Sequence, residues 1–234
     1  MRRRRLLIIA AVVIAALTVV AAGTAWFALR DDAPAAPSLP TATSGPAGAT
    51  GAATADGSWR VAPGGGVYVG YRVTEVFAGD VVRKTAVGRT GSVEGTMTIA
   101  DGKVTQARVS ADLRRLRSDS DRRDSVIRSR GLESDRFPIA TYSLTEPIAI
   151  DPPPERGRTL RAAAVGTLTL HGITRTVRLD LEALWDGATI SVVGTSPLAF
   201  ADFGIDPPNT PLVTVDAIGA FEVALTFVPG PPGS

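Results

Sequence analysis

The chain has 234 residues, of which 44% are hydrophobic and 21% charged, so it is long enough to bury a core. Its formal net charge is only +2, and the arginines are mostly interleaved with Asp and Glu, a balance that does not indicate nucleic-acid binding. Because the sequence has no cysteine, disulfides, thiolate metal sites, cysteine nucleophiles and a bacterial lipoprotein anchor are excluded.

The N-terminus, residues 1–30, has the composition of a membrane anchor. Four arginines, Arg2 to Arg5, precede an uncharged run from Leu6 to Leu29 that is long enough to cross a bilayer as a helix. The basic cluster is expected to stay on the cytoplasmic side, which predicts a single-pass cell-membrane protein with everything after Arg30 outside the cytoplasm. A cleaved signal peptide followed by secretion is the alternative, because small residues at 20–25 resemble a cleavage site.

The next segment, residues 31–57, is predicted to be a flexible linker. It consists mainly of Ala, Pro, Thr, Gly and Ser and has almost no large apolar side chain to repay the entropy of ordering. Residues 230–234 are predicted to form a disordered tail, so the folded domain is expected to span residues 58–229.

Within that domain, apolar and polar residues alternate with the period of two that half-buried strands require. The last alternation, from Val213 to Phe227, is predicted to be one long strand whose inward face includes Ala217 and Gly219, as in a strand that bends around a closing barrel. No long segment has a helical period. The predicted fold class is therefore all-β, an antiparallel barrel of about eight strands.

The clearest element is a β-hairpin over residues 165–181. Two alternating arms flank His171-Gly172, and glycine tolerates the positive φ of a tight turn. A short helix is predicted between strands at residues 118–128, where Ser118 and Asp121 have capping-box spacing and Asp124 and Arg128 are an i,i+4 pair.

The sequence contains no convincing catalytic or metal site. His171 is the only histidine, and its place at a hairpin tip favours a turn residue. The acidic run Asp119, Asp121, Asp124 fails the calcium-loop pattern, because Arg130 stands where a glutamate ligand is required. We therefore predict a protein that is not an enzyme and has no cofactor or metal.

Several motifs, in combination and order, resemble the YceI-like domain family of bacterial envelope proteins. They are residues 123–129 (Arg-Asp-Ser-Val-Ile-Arg-Ser), 137–142 (Phe-Pro-Ile-Ala-Thr-Tyr), 166–175 around the hairpin turn, and 202–205 (Asp-Phe-Gly-Ile). The resemblance runs from Trp59 to Val228. It implies a lipocalin-like barrel in the cell envelope that binds a polyisoprenoid or related long apolar lipid without changing it.

The candidate ligand contacts are side chains predicted to line the barrel. They are Tyr71, Val73, Met97, Ile99, Val109, Leu168, Leu179, Leu181, Trp185, Phe203, Phe221 and Val223. A cavity and a solid core remain alternatives, because eight strands have room for either. The resemblance favours a cavity, as do three glycines predicted at inward positions, Gly95, Gly166 and Gly219. A ligand-free interaction or stress-related module with a packed barrel is the alternative function.

Eight arginines are concentrated between residues 114 and 136, near the expected barrel mouth. Arg123 and Arg128 are candidate contacts for a lipid head group, and the cluster as a whole is a candidate surface for anionic lipid. The alternative is a solvated loop in which Asp119, Asp121, Asp124, Glu133 and Asp135 neutralise the arginines.

Overall fold

The computed structural model describes residues 33–40, 54–77, 82–151 and 153–231. The predicted anchor, Leu6–Leu29, lies outside these residues. Among the residues that are described, no helix has both the length and the apolar character needed to cross a membrane.

Antiparallel strands dominate the described part of the chain and belong to a single sheet. In chain order they are β1 Gly57–Val61, β2 Tyr68–Phe77, β3 Val82–Thr90, β4 Val93–Ala100, β5 Lys103–Asp112, β6 Ile139–Leu144, β7 Ile148–Ala149, β8 Thr159–Leu170, β9 Ile173–Trp185, β10 Ile190–Ala199, β11 Val213–Val215 and β12 Ile218–Pro229.

Eight of these strands close into a barrel, which confirms the predicted fold class. The order is β1, β4, β5, β6, β8, β9, β10 and β12, and the ring closes where Phe227–Pro229 of β12 pairs with Val61–Trp59 of β1. The earlier part of β12 pairs with β2 instead, and β2 also carries β3 and β11. Closure removes the exposed edges that an open sheet would present.

The β8–β9 hairpin is as predicted, with Leu170 paired to Ile173 across a two-residue turn. His171 has φ 51° and Gly172 has φ 74°, the two positive values that a type I′ turn requires. The prediction that His171 is a turn residue is confirmed.

The predicted long last strand is wrong, because two strands occupy its place. Val215 pairs with Glu75 and Ala220 pairs with Arg72, so residues 216–219 lie opposite only residues 73 and 74 of β2. The extra residues form a bulge that bends the chain and shifts which side chains face inward. As a result Ala217 is exposed and does not face the barrel interior.

The predicted short helix is present as α1, Asp121–Val126, followed by a π-helical turn at Ile127–Gly131. Its N-cap is Ser120, whose Oγ accepts a hydrogen bond from the Arg123 N–H, and not Ser118. The predicted Asp124–Arg128 pair is also wrong. Asp124 Oδ1 accepts hydrogen bonds from the Ser118 N–H and Oγ–H, because the chain before the helix folds back over it.

Two apolar clusters fill the barrel. The second closes the end beside α1 and the β8–β9 turn, with Phe200, Phe203 and Leu170 among its buried members. The first occupies the rest of the interior, toward the opposite end where β8 begins and β9 ends.

Candidate functional site

A cavity of about 160 Å³ lies inside the barrel within the first core cluster. Residues of β2, β4, β5, β6, β7, β8, β9, β10 and β12 form its wall, and no residue of α1 takes part. The lining is apolar except at Thr141, Tyr142, Asp151, Arg161 and the indole N–H of Trp185. Such a wall suits a hydrocarbon with few polar atoms.

Nine of the twelve side chains predicted from alternation lie together on this cavity. They are Met97, Ile99, Val109, Leu168, Leu179, Leu181, Trp185, Phe221 and Val223. Their agreement follows from the period of two, which places every second residue of a closed sheet inside the barrel.

Tyr71, Val73 and Phe203 do not line the cavity, which corrects their prediction as lining residues. They belong to the second cluster, where Phe203 is only 2% exposed and Tyr71 lies over Gly88 on the neighbouring strand. Alternation predicts that a strand residue faces inward, but it does not predict whether other side chains fill the interior space that it faces.

Sequence reasoning missed several lining residues. Val69 of β2, Tyr142 of β6, Ala164 of β8 and Phe227 of β12 all contact the cavity. Val69, Ala164 and Phe227 each share a strand face with a predicted residue, so extending the alternation by one or two positions would have found them. Tyr142 lies on β6, where no lining residue was predicted. Asp151 and Pro154 follow β7 in a turn, and no periodic signal marks them.

The three glycines predicted to favour a cavity do not leave room for a ligand. A Cβ on Gly95 would lie 2.7 Å from the Arg108 carbonyl oxygen, and one on Gly166 would lie 2.6 Å from the Tyr142 hydroxyl. A Cβ on Gly219 would lie 3.0 Å from Phe200 Cζ. A neighbouring residue therefore fills the space in front of each glycine. The cavity lies elsewhere, next to alanines such as Ala164.

Neither Arg123 nor Arg128 lines the cavity, so their prediction as head-group contacts is not met by the geometry. The Arg123 guanidinium makes a two-pronged pair with the buried Glu75, with Nε–Oε1 and Nη2–Oε2 distances of 2.8 Å, and also binds Asp119. Hydrogen bonding to Glu75 raises the pKa of Arg123. This pair lies at the end that the second cluster closes, because Glu75 is near the end of β2.

Some of the other arginines of residues 114–136 pair with carboxylates, as the alternative of a salt-bridged loop predicts. Arg114 pairs with Asp112 at 2.9 Å and Arg136 with Glu133 at 3.5 Å. The charged residues that do line the cavity, Asp151 and Arg161, lie near the opposite end of the barrel. The Arg161 side chain is 82% exposed and pairs with Glu182 on the outside of the barrel at 2.9 Å, so its guanidinium does not face the cavity.

Two hydrogen-bond donors on the cavity wall, the Tyr142 hydroxyl and the Trp185 indole N–H, have no partner among the described residues. Burial alone raises the pKa of Tyr142 to about 12, so its hydroxyl stays protonated at neutral pH. Unpaired buried donors cost free energy, and an acceptor oxygen on a bound molecule would satisfy them.

The contacts of the remaining candidate, His171, are with residues that pack around the hairpin turn. Its Nδ1 lies 2.9 Å from the Phe203 carbonyl oxygen, and its ring meets Phe137 edge-on at 4.7 Å between centroids. Within the described ranges, no cluster of histidine and carboxylate side chains has the arrangement of a metal site.

A family model described as the YceI-like domain matches residues 68–227, more than half of the chain. A solved polyisoprenoid binding domain from Saccharophagus degradans, implicated in plant cell wall breakdown, has a TM-score of 0.54 and 14% identity, covering 74% of this chain and 98% of that one. BcnA from Burkholderia cenocepacia has a TM-score of 0.51 and 17% identity, covering 67% of this chain and 95% of its own. No curated protein matches the sequence. At these identities, the structural likeness shows a shared fold.

Proposed function

Because the chain belongs to the YceI-like domain family, we propose that its barrel binds a long apolar lipid of the isoprenoid class and carries it without chemical change. The motif resemblance seen in the sequence is thereby confirmed at the level of the family. The observation that carries the proposal is the apolar cavity inside the barrel.

The shape of the cavity favours a single chain. Its lining spans Leu160 to Leu168 on β8, nine residues or roughly 27 Å along the strand. Its volume of about 160 Å³ is small for that length, so the space is narrow. A space so extended and so small suits a narrow hydrocarbon chain better than a fused ring system.

The Saccharophagus degradans structure, described as a polyisoprenoid binding domain, supports this ligand class. The lining favours binding without catalysis, because among the described residues its titratable side chains Tyr142 and Asp151 belong to different elements and form no acid–base pair. Free Tyr142 and Trp185 donors favour a ligand that carries one or two acceptor oxygens at some point along the chain.

Lipid extraction and native mass spectrometry of the purified full chain test the proposal. We expect one chain-like apolar molecule per protein, recovered unchanged, and uptake of added geranylgeraniol after delipidation. Repeated recovery of empty protein that takes up no isoprenoid would instead support the ligand-free module. Conversion of the added lipid to a product would support an enzyme.

We also propose that the domain acts in the cell envelope, outside the cytoplasm. The support is the arginine cluster before the apolar run of the N-terminus. Protease added to intact cells is expected to digest the domain. Digestion only after lysis would show that the orientation is reversed.

A further inference from the structure

One stretch of the predicted linker lies against the outside of the barrel. Residues 33–40 read Ala-Pro-Ala-Ala-Pro-Ser-Leu-Pro, and from Pro34 onward the chain belongs to the same compact unit as the barrel. Pro37 and Leu39 are half-buried. Three prolines in eight residues fix the backbone in an extended form at little further entropic cost.

Two arginines of the outer wall bind consecutive carbonyl groups of this stretch. Arg72 Nη2 donates to the Pro34 carbonyl oxygen at 2.7 Å, and Arg89 Nη2 donates to the Ala35 carbonyl oxygen at 2.6 Å. Arg72 is on β2 and Arg89 on the adjacent β3, so the two guanidiniums project from neighbouring strands.

A buried carboxylate holds these two guanidiniums in place. Glu222 alternates with the cavity residues Phe221 and Val223, so it faces outward, and yet it is only 2% exposed. Its Oε1 accepts from Arg72 Nε at 2.5 Å and its Oε2 from Arg89 Nη2 at 3.4 Å. The Arg89 guanidinium also lies over the Tyr68 ring, 4.1 Å from its centroid.

A groove continues from this cluster across the outer wall. Ala36 and Pro37 line it together with Val193, Thr195 and Ala220 of β10 and β12. Small and β-branched outward residues leave space for the proline ring, while the arginines bind the carbonyls. Because prolines have no N–H, an extended proline-rich segment presents mainly carbonyl acceptors, which suit arginine donors.

We propose that the outer wall of β2, β3, β10 and β12 is a binding site for extended Ala/Pro-rich peptide, and that its occupant is this chain's own segment Pro34–Pro40. The segment is docked on the barrel and divides the predicted linker into two parts. A linker held beside its own site has an effective concentration on the order of 1 mM, so even a weak site is occupied.

The test uses spin labels on the full chain, which has no native cysteine. Ala36→Cys and Thr195→Cys place one label on the segment and one on the groove. We expect a single short, narrow distance distribution. Adding Arg72→Leu and Arg89→Leu should broaden it at least severalfold, whereas the matched control Arg114→Leu with Arg136→Leu, which removes two exposed arginines elsewhere, should leave it unchanged.

Removing both arginines leaves the Glu222 carboxylate buried without a cation, which itself threatens folding. A second variant therefore keeps the barrel intact and replaces the other residues of Pro34–Pro40 with Gly and Ser. The same broadening is expected. A narrow distribution that survives this replacement, or a broad one in the labelled chain with no other change, would overturn the proposal.

Mixing chains labelled only at Ala36→Cys with chains labelled only at Thr195→Cys identifies the occupant. No short distance is expected in the mixture. A short distance there would show that the segment of a second copy fills the groove and would overturn occupancy by the chain's own segment.

Discussion

Ala164→Leu separates a barrel with a cavity from one that is packed solid. Ala164 lies on β8, is 2% exposed, and lines the cavity opposite its strand partner Leu179. A leucine side chain there would extend into the space that we assign to the ligand. The change adds apolar groups without touching the polar atoms of the wall.

The expected magnitude follows from the apolar groups added. Three more carbons buried at about 0.8 kcal/mol each would contribute roughly 2.4 kcal/mol. Fixing the leucine rotamer costs about 0.5 to 1 kcal/mol, which leaves a net stabilisation of about 1.5 kcal/mol for the ligand-free protein. In a solid core the same change would overpack the interior and cost about 1 to 3 kcal/mol.

Urea denaturation of the delipidated protein measures the first effect, and displacement of the fluorescent probe N-phenyl-1-naphthylamine by geranylgeraniol measures ligand uptake. We expect unchanged or higher stability together with at least tenfold weaker uptake. Gly219→Leu is the packed-site comparison and should lose stability, because its Cβ alone would lie 2.9 Å from the Arg72 carbonyl oxygen. Loss of stability in Ala164→Leu with unchanged uptake would refute the cavity assignment.

Three further changes test other parts of the structure. Arg123→Leu should destabilise the fold by about 3 kcal/mol in urea, because it leaves the Glu75 carboxylate buried without its cation, whereas Arg128→Leu should have little effect; equal losses would contradict this account. Tyr142→Phe removes an unpaired buried donor. Calorimetric titration should therefore show unchanged or tighter binding of a pure hydrocarbon such as squalene, but weaker binding of geranylgeraniol. A loss of affinity for both ligands would show that the hydroxyl only shapes the wall. Burial raises the pKa of Asp186, but hydrogen bonds from the Thr189 and Ala188 N–H groups outweigh burial and lower it. Its contribution to stability is therefore present above the unfolded pKa and is lost as pH falls through the lowered pKa. Asp186→Asn should cost about 1 kcal/mol at pH 7 and progressively less in acid, and a pH-independent difference would contradict the assignment.

Local sequence signals predicted the elements that local physics determines. The β8–β9 hairpin follows from alternation around His171-Gly172. α1 was predicted at the right place, although its N-cap is Ser120 and not Ser118. Alternation also predicted nine residues of the cavity wall, because a closed antiparallel sheet sends every second side chain inward.

Contacts between residues that are far apart in the sequence could not be predicted in this way. Glu75 and Arg123 are 48 residues apart, and nothing in either neighbourhood marks them as partners. The neighbours that cover the glycines are likewise set by strand register, as when Phe200 covers Gly219. The position of Pro34–Pro40 depends on three side chains of the outer wall that lie between 38 and 188 residues away in sequence.

The location of the bound lipid tests the central claim most directly. The full chain in lipid nanodiscs is incubated with a geranylgeraniol analogue that carries a diazirine, irradiated, and digested for mass-spectrometric mapping. We predict crosslinks to cavity residues such as Met97, Trp185 and Leu225, suppressed by excess geranylgeraniol. Crosslinks confined to the outer wall or to the arginines around α1, or crosslinks that excess geranylgeraniol does not reduce, would contradict the account.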